Sequence, residues 1–562
     1  MHHPSPILRV TLVAGMLAAL SAGGATAFSG PVHDSAADLW RFEKSVPFPA
    51  IRLGTDPPSG TRDWSFDPNV RVHPSEPGEH LWPDIAVGED GTLGVAWMDD
   101  HASGGYHIFY SSSTDEGATW TLPERIDDRA AGAYSKFVSL AFTPRGTAVA
   151  VWEDDRTGQI QLYFSKRNGP PEQPWSPNIR VNTTGGSPSG SDFMNGSLAV
   201  LDEDRYFVAW TDWREGVYHQ VYLRATSDGG LTWGTEHRVS DGLGYQPVAG
   251  DPCLIVDPSF TDPGAEVLYC VTNDWRGYAP GGRYPNVYFY RSTNGGANWS
   301  IGVMVNDIEP GFQQTSSHAL VKLDDGALAA GYLNNPDWTL YHLCVSRSVD
   351  AGASWSPGMQ IDEPGGGGTG TYPSIATDGA YLYAGFDLYT TSWDEYLRVS
   401  PNGGVGWPYP SQRVDDDATG AAAGNVVLAV PRYAILPEGR SLDVFAAWQD
   451  NRAPGYNWKI YAAHGEALGQ SVPEPAPPAV AGAWRIVPNP SRAGAAVSLV
   501  ATGPGAPARV LIVDAAGRSI RALDCARGGT VWDGRDARGD VVPAGLFWIR
   551  AASGNAPLVR LR

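Results

Sequence analysis

The octet Ser348-Val349-Asp350-Ala351-Gly352-Ala353-Ser354-Trp355 decides how this chain is read, because it recurs. Copies run Ser113, Asp115, Gly117, Trp120; Thr226, Asp228, Gly230, Trp233; Ser292, Asn294, Gly296, Trp299; and Ser400, Asn402, Gly404, Trp407. Three of them begin at residues 292, 348 and 400. That spacing of roughly fifty residues lies in the range of propeller-type repeats. The chemistry explains the composition. Asp or Asn accepts hydrogen bonds from backbone N–H groups just ahead and closes a tight turn. Gly takes φ > 0 without a Cβ clash. The Ser or Thr hydroxyl serves the same turn, and the Trp folds back as an apolar plug. These residues read as hairpin staples.

The rest of each unit repeats as well. An apolar strand ends in an aromatic and a polar signature: Val95-Ala96-Trp97-Met98-Asp99, Val151-Trp152-Glu153-Asp154-Asp155-Arg156, Ala209-Trp210-Thr211-Asp212-Trp213-Arg214, Ala447-Trp448-Gln449-Asp450-Asn451-Arg452, with Thr272-Asn273-Asp274-Trp275-Arg276 as a variant. An alternating strand follows, such as Ile108-Phe109-Tyr110-Ser111, and its β-branched and aromatic content marks it as β. After the octet comes a short strand such as Asn178-Ile179-Arg180-Val181-Asn182. Alignment gives seven units, at 80–127, 134–182, 193–240, 246–306, 314–362, 370–415 and 422–465. The second octet is degraded, Ser165 through Trp175, and the seventh unit has neither octet nor fourth strand. Asn69-Val70-Arg71-Val72-His73 matches the missing strand, so Val70 is expected beside Ile460, closing the ring and limiting exposed edges. The fold class is all-β: a seven-bladed β-propeller, followed by a small β-sandwich.

The octet resembles the Asp-box (BNR repeat) of sialidases and related secreted β-propellers. The likeness covers roughly residues 66–466. It implies that the box joins the third and fourth strands of each blade, on the face away from the ligand. Because enzymatic sialidases have six blades, a six-bladed ring is the alternative.

Composition agrees with an exported β protein. The formal charge of −21 argues against nucleic acid or an anionic membrane as partner. Residues 1–27 read as a signal peptide, with an apolar run Val10 to Leu20 and a small-residue cleavage site Ala25-Thr26-Ala27. Membrane insertion after its removal is not expected, and the location is secreted or cell surface. Residues 28–65 have no assigned structure. Of the four cysteines, Cys253 and Cys270 fall on successive strands, where a disulfide and two buried thiols are both open. Cys344 and Cys525 are expected to be free. No Cys/His spacing reads as a zinc site. Asp415-Asp416-Asp417 reads as a solvated loop rather than a calcium site, and no metal or cofactor is expected.

Residues 467–482 form a Pro-rich linker. Beyond it, 483–562 carries short alternating strands with Asp-Gly and Arg-Gly turns, a β-sandwich pattern. Trp532-Asp533-Gly534-Arg535-Asp536 and Pro543-Ala544-Gly545-Leu546-Phe547, with the opening Pro488-Asn489-Pro490, resemble the immunoglobulin-like domain of flagellar hook-cap (FlgD-type) proteins and the C-terminal sorting domains of type IX secretion cargo. That resemblance implies attachment or export, with export machinery as a partner.

The ends of the second strands are expected on the ligand face. They carry Asp99, Asp154, Asp212, Asp274 and Asp450, with Arg156, Arg214, Arg276 and Arg452 nearby. Guanidinium groups hold carboxylates bidentately, and sialidases use an arginine cluster this way. Yet recurrence at one register points to loop-fixing Asp–Arg pairs. The Arg-Ile-Pro element of sialidases is absent, and no catalytic tyrosine–glutamate pair is identifiable, so no catalytic residue is assigned. Units five and six break the repeat, with Tyr332-Leu333-Asn334-Asn335-Pro336 and Phe386-Asp387-Leu388-Tyr389. A ligand is therefore sought near Gln313, Gln314, His318, Asn335, Tyr372 and Asp387. The expected function is binding of a glycan or surface partner by an exported sialidase-like propeller. An exo-acting, sialidase-like glycoside hydrolase is the alternative.

Overall fold

The computed structural model describes residues 64–73, 78–100, 105–129, 134–167, 174–183, 194–212, 214, 219–242, 249–260, 262–276, 285–306, 314–335, 341–362, 373–389, 392–417, 420–431, 443–452 and 457–467, and, further on, 484–487, 491–492, 497–501, 509–514, 519–524, 529–542, 545–551 and 554–561. The chain divides into two compact units, Met1–Gly469 and Gln470–Arg562. Every regular element described is a strand. No helix among the described residues is long and apolar enough to cross a membrane.

The first unit is a seven-bladed β-propeller. Six antiparallel sheets of four strands and a seventh of five succeed one another along the chain. Blade one runs His80–Val87, Leu93–Asp99, His107–Ser113, Glu124–Arg125 from inner to outer strand. The second and third strands of the next blades are Ala148–Asp154 and Gln161–Lys166, Tyr206–Asp212 and Gln220–Thr226, Leu268–Asp274 and Asn286–Ser292, Leu328–Asn335 and His342–Ser348, Leu382–Tyr389 and Trp393–Ser400, and Asp443–Asp450 and Lys459–Ala467. Strands this uniformly buried on both faces must pack against a neighbour on each side. Ile108 and Tyr110 of blade one share a cluster with Ala150 and Trp152 of blade two. On its other face, blade one places Val95 and Trp97 against Phe445, Ala447 and Ile460 of blade seven. The ring is therefore closed by core packing.

The amino-terminal ribbon completes blade seven. Val70 stands opposite Ala462 and Arg71 opposite Tyr461, while Trp64–Phe66 pairs further along the same strand. Val70 thus lies two residues from the expected position beside Ile460, and the N–H of Val72 bonds the Ile460 carbonyl at 3.0 Å. A shift of two preserves the face on which each side chain lies, so Val72 still enters the core.

A belt of side chains ties the inner strands. Asp84 accepts the N–H of Leu140 at 2.7 Å, Ser197 that of Leu254 at 3.0 Å and Ser374 that of Leu428 at 3.0 Å, each bond crossing to the following blade. Burial pushes the Asp84 carboxyl up to about 6.

The second unit holds a three-stranded and a five-stranded sheet. Val497, Leu499 and Trp532 from the first and Val510, Ile512 and Phe547 from the second form one buried cluster. The linker 467–482 falls outside the described residues except for Ala467, as does the signal segment. Cys253, Cys270 and Cys344 are free thiols. Cys253 pairs with Val271 and Leu254 with Cys270, so the two cysteines are offset by one residue across the hairpin.

Candidate functional site

The five octets lie between third and fourth strands. In the fourth blade's neighbour, blade five, Gly352 N–H donates to Ser348 Oγ at 2.8 Å, and Ser354 N–H donates to Asp350 Oδ1 at 2.9 Å. Gly117, Gly230, Gly296, Gly352 and Gly404 all have φ between 84 and 88°. Each tryptophan reaches outside its own blade. Trp233 meets Phe164 of blade two edge-on at 5.5 Å, and Trp355 meets Phe289 of blade four at 5.3 Å. A methyl group added at Gly352 would fall 1.9 Å from the Phe289 ring, so this position also needs glycine for space. The turns therefore staple one blade to the one before it. In blade two, Arg167 rather than Ser165 takes the octet's first place: Arg167 bridges to Trp175, and Ser165 bonds Ser176 as Ser111 bonds Thr121.

At the opposite face, four of the predicted acids are clamped alike. Asp154 takes Arg156 Nε at 2.9 Å and Nη2 at 2.8 Å. Asp212 takes Arg214 at 2.8 and 2.5 Å, Asp274 takes Arg276 Nη2 at 2.6 Å, and Asp450 takes Arg452 at 2.8 and 2.6 Å. Each guanidinium lies over a third-strand tyrosine: Arg156 on Tyr163, Arg214 on Tyr222, Arg276 on Tyr288, Arg452 on Tyr461, at 4.1, 3.9, 4.1 and 4.6 Å. A further acid engages each: Asp128 for Arg156 at 2.7 Å, Glu236 for Arg214 at 2.7 Å, Asp241 for Arg276 at 2.7 Å, and Asp416 for Arg452. Asp128, Asp241 and Asp416 belong to the preceding blade. Burial lowers the pKa of these arginines, but the bonds to Asp154 and its equivalents outweigh it and hold all four above their ordinary value. Asp99 has Trp97 Nε1 at 3.1 Å and His80 Nδ1 at 3.0 Å instead.

Blade six inverts this pattern. In register, the third-strand residue opposite the one before the acid is Ile108, Leu162, Val221, Val287, Leu343 or Ile460 in six blades. All six are 0% exposed. In blade six the pair is Asp387 opposite Glu395. The acid arrives one residue early, so the pleat turns it to the other face, the one that in blade one meets the following blade. Leu388, opposite Asp394, takes the register of the clamped acids. Glu395 is 0% exposed, and among the described residues neither of its carboxyl oxygens has a hydrogen-bond partner. Burial first, then Asp387, Asp415, Asp450 and Asp394, push its pKa well above the ordinary carboxylate range. Arg413 bonds Asp394 at 2.8 Å and Asp415 at 2.6 Å.

Two register positions beyond Asp387 and Glu395, and so on the same face, Tyr389 stands opposite Trp393 with ring centroids 5.2 Å apart. Both are half-buried. The order from solvent inward is thus an aromatic pair, then a carboxyl pair. Elsewhere, Asn334 and Asn335 Oδ1 of blade five and Asn425 Oδ1 of blade seven are buried with no hydrogen-bond partner among the described residues. Asn334, not Asn335, holds the register of Asp99.

The remaining predicted residues scatter. Gln314 and His318 lie on the inner strand of blade five, opposite Asn335 and Tyr332. Gln313 and Tyr372 fall outside the described residues. Glu395 and Trp393 were not anticipated, although a signal existed. Five residues before each octet stand Ile108, Val221, Val287, Leu343 and Glu395, so the exception is countable in the sequence. Open concavities of about 460 Å³, at Arg125–Arg129 and Pro174–Pro177, and about 410 Å³, around Ile255, Leu320 and Thr377, are lined by neither Asp387 nor Glu395.

No protein-family model matches the chain, and no curated protein does. Among solved structures, it is similar to a polysaccharide lyase, an ulvan lyase, at 11% identity over 70% of this chain and 95% of that one, TM-score 0.48. A protein of unknown function from Dyadobacter fermentans is 12% identical over 72% and 99%, TM-score 0.44. A leech intramolecular trans-sialidase is 15% identical over 72% and 70%, TM-score 0.40.

Proposed function

We propose that this chain is an exported β-propeller that binds a glycan at the seam between blades six and seven, on the face opposite the octet turns. The observation that carries the reading is the Tyr389–Trp393 pair above Asp387 and Glu395. An aromatic face presents an apolar surface to a sugar ring, while unmet acceptors take the hydroxyl donors that a sugar supplies in excess. Local acidity, within a chain of net charge −21, favours neutral or basic sugars over acidic ones. The octets serve as Asp-boxes. The carboxy-terminal unit serves as a small β-sandwich for attachment or sorting, behind a stiff linker, and the amino-terminal segment as an export signal.

A glycan array probed with purified mature protein tests this. Retention of neutral glycans, weakened in Trp393→Ala, supports it; silence across the array sinks it. A second reading, an exo-acting glycoside hydrolase, has the carboxyl pair in its favour, since such enzymes work with two carboxyl groups flanking the scissile bond. The complete burial of Glu395 weighs against it. Turnover of a fluorogenic glycoside panel, abolished by Asp387→Asn, would replace the first reading with the second.

A further inference from the structure

On the octet side of the ring, blade seven carries a second group with no part in the site above. Asp443 opens its second strand and stands directly opposite Glu466 on the third. His464 lies two residues before Glu466, hence on the same face. One donor atom from each of the three lies within 4.8 Å of the others. His464 is 4% exposed in its side chain and stacks on Phe445 at 4.8 Å, which fixes the ring; Glu466 is exposed and leaves a path of entry.

We propose that Asp443, His464 and Glu466 bind a divalent cation of the zinc class, with Asp67 holding the imidazole from behind. The separation of His464 Nε2 from Asp443 Oδ1 is 3.3 Å. A charge-assisted hydrogen bond draws such atoms to about 2.7–2.9 Å. Two tetrahedral zinc ligands with bonds of about 2.0–2.1 Å stand about 3.3 Å apart. The other nitrogen, Nδ1, is 3.4 Å from the Asp67 carboxylate. A carboxylate behind a ligating histidine orients the ring and raises its basicity. One imidazole among carboxylates suits zinc or manganese better than calcium, which takes oxygen ligands alone.

The site's place gives it a consequence. Asp67 follows the strand Trp64–Phe66, and its N–H bonds the His464 carbonyl at 2.9 Å. A cation here ties the second and third strands of blade seven and, through Asp67, the ribbon that closes the ring. Binding to the folded chain alone raises its apparent stability by mass action.

Metal-stripped full-length protein titrated with zinc chloride tests the proposal, by calorimetry and by thermal unfolding with calcium chloride as control. One zinc per chain is expected, with a rise in Tm that EDTA reverses and calcium does not reproduce. Glu466→Gln, an exposed position, should weaken zinc at least tenfold, and Asp67→Asn should weaken it about 10–100-fold. His464→Gln should remove the response, and the two milder variants keep the test decisive if that one fails to fold. No zinc-induced shift in the parent protein, or an equal shift in Glu466→Gln, overturns the proposal.

Discussion

Blades two, three, four and seven solve one problem in one way; blade six does not. In the four, an acid at the end of the second strand is clamped by an arginine two residues on, and the arginine is capped by a tyrosine and a further acid. Little is left over for a ligand to bond. In blade six no such arginine follows, the acid faces the other way, and a carboxyl replaces an aliphatic core residue. Burying one aliphatic side chain is worth about 1.5–3 kcal/mol, and an unpaired buried acid forgoes that gain. Proteins break local rules of this kind where function requires it.

The comparison can be broken or sharpened by substitution. The largest effect is expected at a clamp. Asp212→Ala removes the acceptor of Arg214 Nε, Nη2 and backbone N–H and of Trp210 Nε1, leaving Glu236 as the acid on Arg214, and should cost about 3–5 kcal/mol in denaturant unfolding, leaving glycan binding in the surviving folded fraction unchanged. Gly352→Ala acts on the stapled side. With φ at 88° and Phe289 in the way, it should cost about 2–4 kcal/mol, against within about 0.5 kcal/mol for a substitution on the open surface. Blade six should respond with the opposite sign. Glu395→Ile installs the residue type of its six equivalents and should stabilise the fold by about 1–4 kcal/mol.

Acidity should separate the regions next. A carboxyl whose folded pKa is raised keeps its proton while the unfolded chain loses it, so stability falls as pH rises above the ordinary carboxylate range. Asp84, near 6, and Glu153, near 7, stop contributing to this decline once ionised; Glu395, raised by burial and by the carboxylates around it, contributes to the same decline. Glu395→Gln should lessen the fall in stability above the ordinary carboxylate range, read from unfolding midpoints as pH is raised. The smallest effect is expected at the rim: Trp393→Ala should change stability by under about 0.5 kcal/mol and weaken glycan binding by about 0.5–1.5 kcal/mol, seen by titration calorimetry.

The architecture was legible because its carriers are local. The octet encodes a turn through Asp350, Gly352 and Trp355, whatever surrounds it, and its five copies mark five of the seven blades. The ring closure was legible from Val70-Arg71-Val72 but its register was not, since alternation determines which face a residue takes, not which of two positions along the strand. The candidate seam was half legible. Asp387 stood out because blade six lacks the signature, whereas Glu395 was hidden inside an ordinary alternating strand. Its meaning depends on what lies opposite, and pairing across strands is a property of the folded sheet. The same holds for Asp443, His464 and Glu466, whose spacing along the chain resembles no metal motif.

The most direct test of the account is the ligand-induced shift in Tm, measured side by side for the parent protein and Glu395→Ile with a neutral glycan retained on the array. The account predicts a higher Tm for Glu395→Ile without glycan and a lost or much reduced shift with it. A lower starting Tm, or a shift equal to that of the parent, would contradict the claim that blade six gives up core stability to hold a ligand.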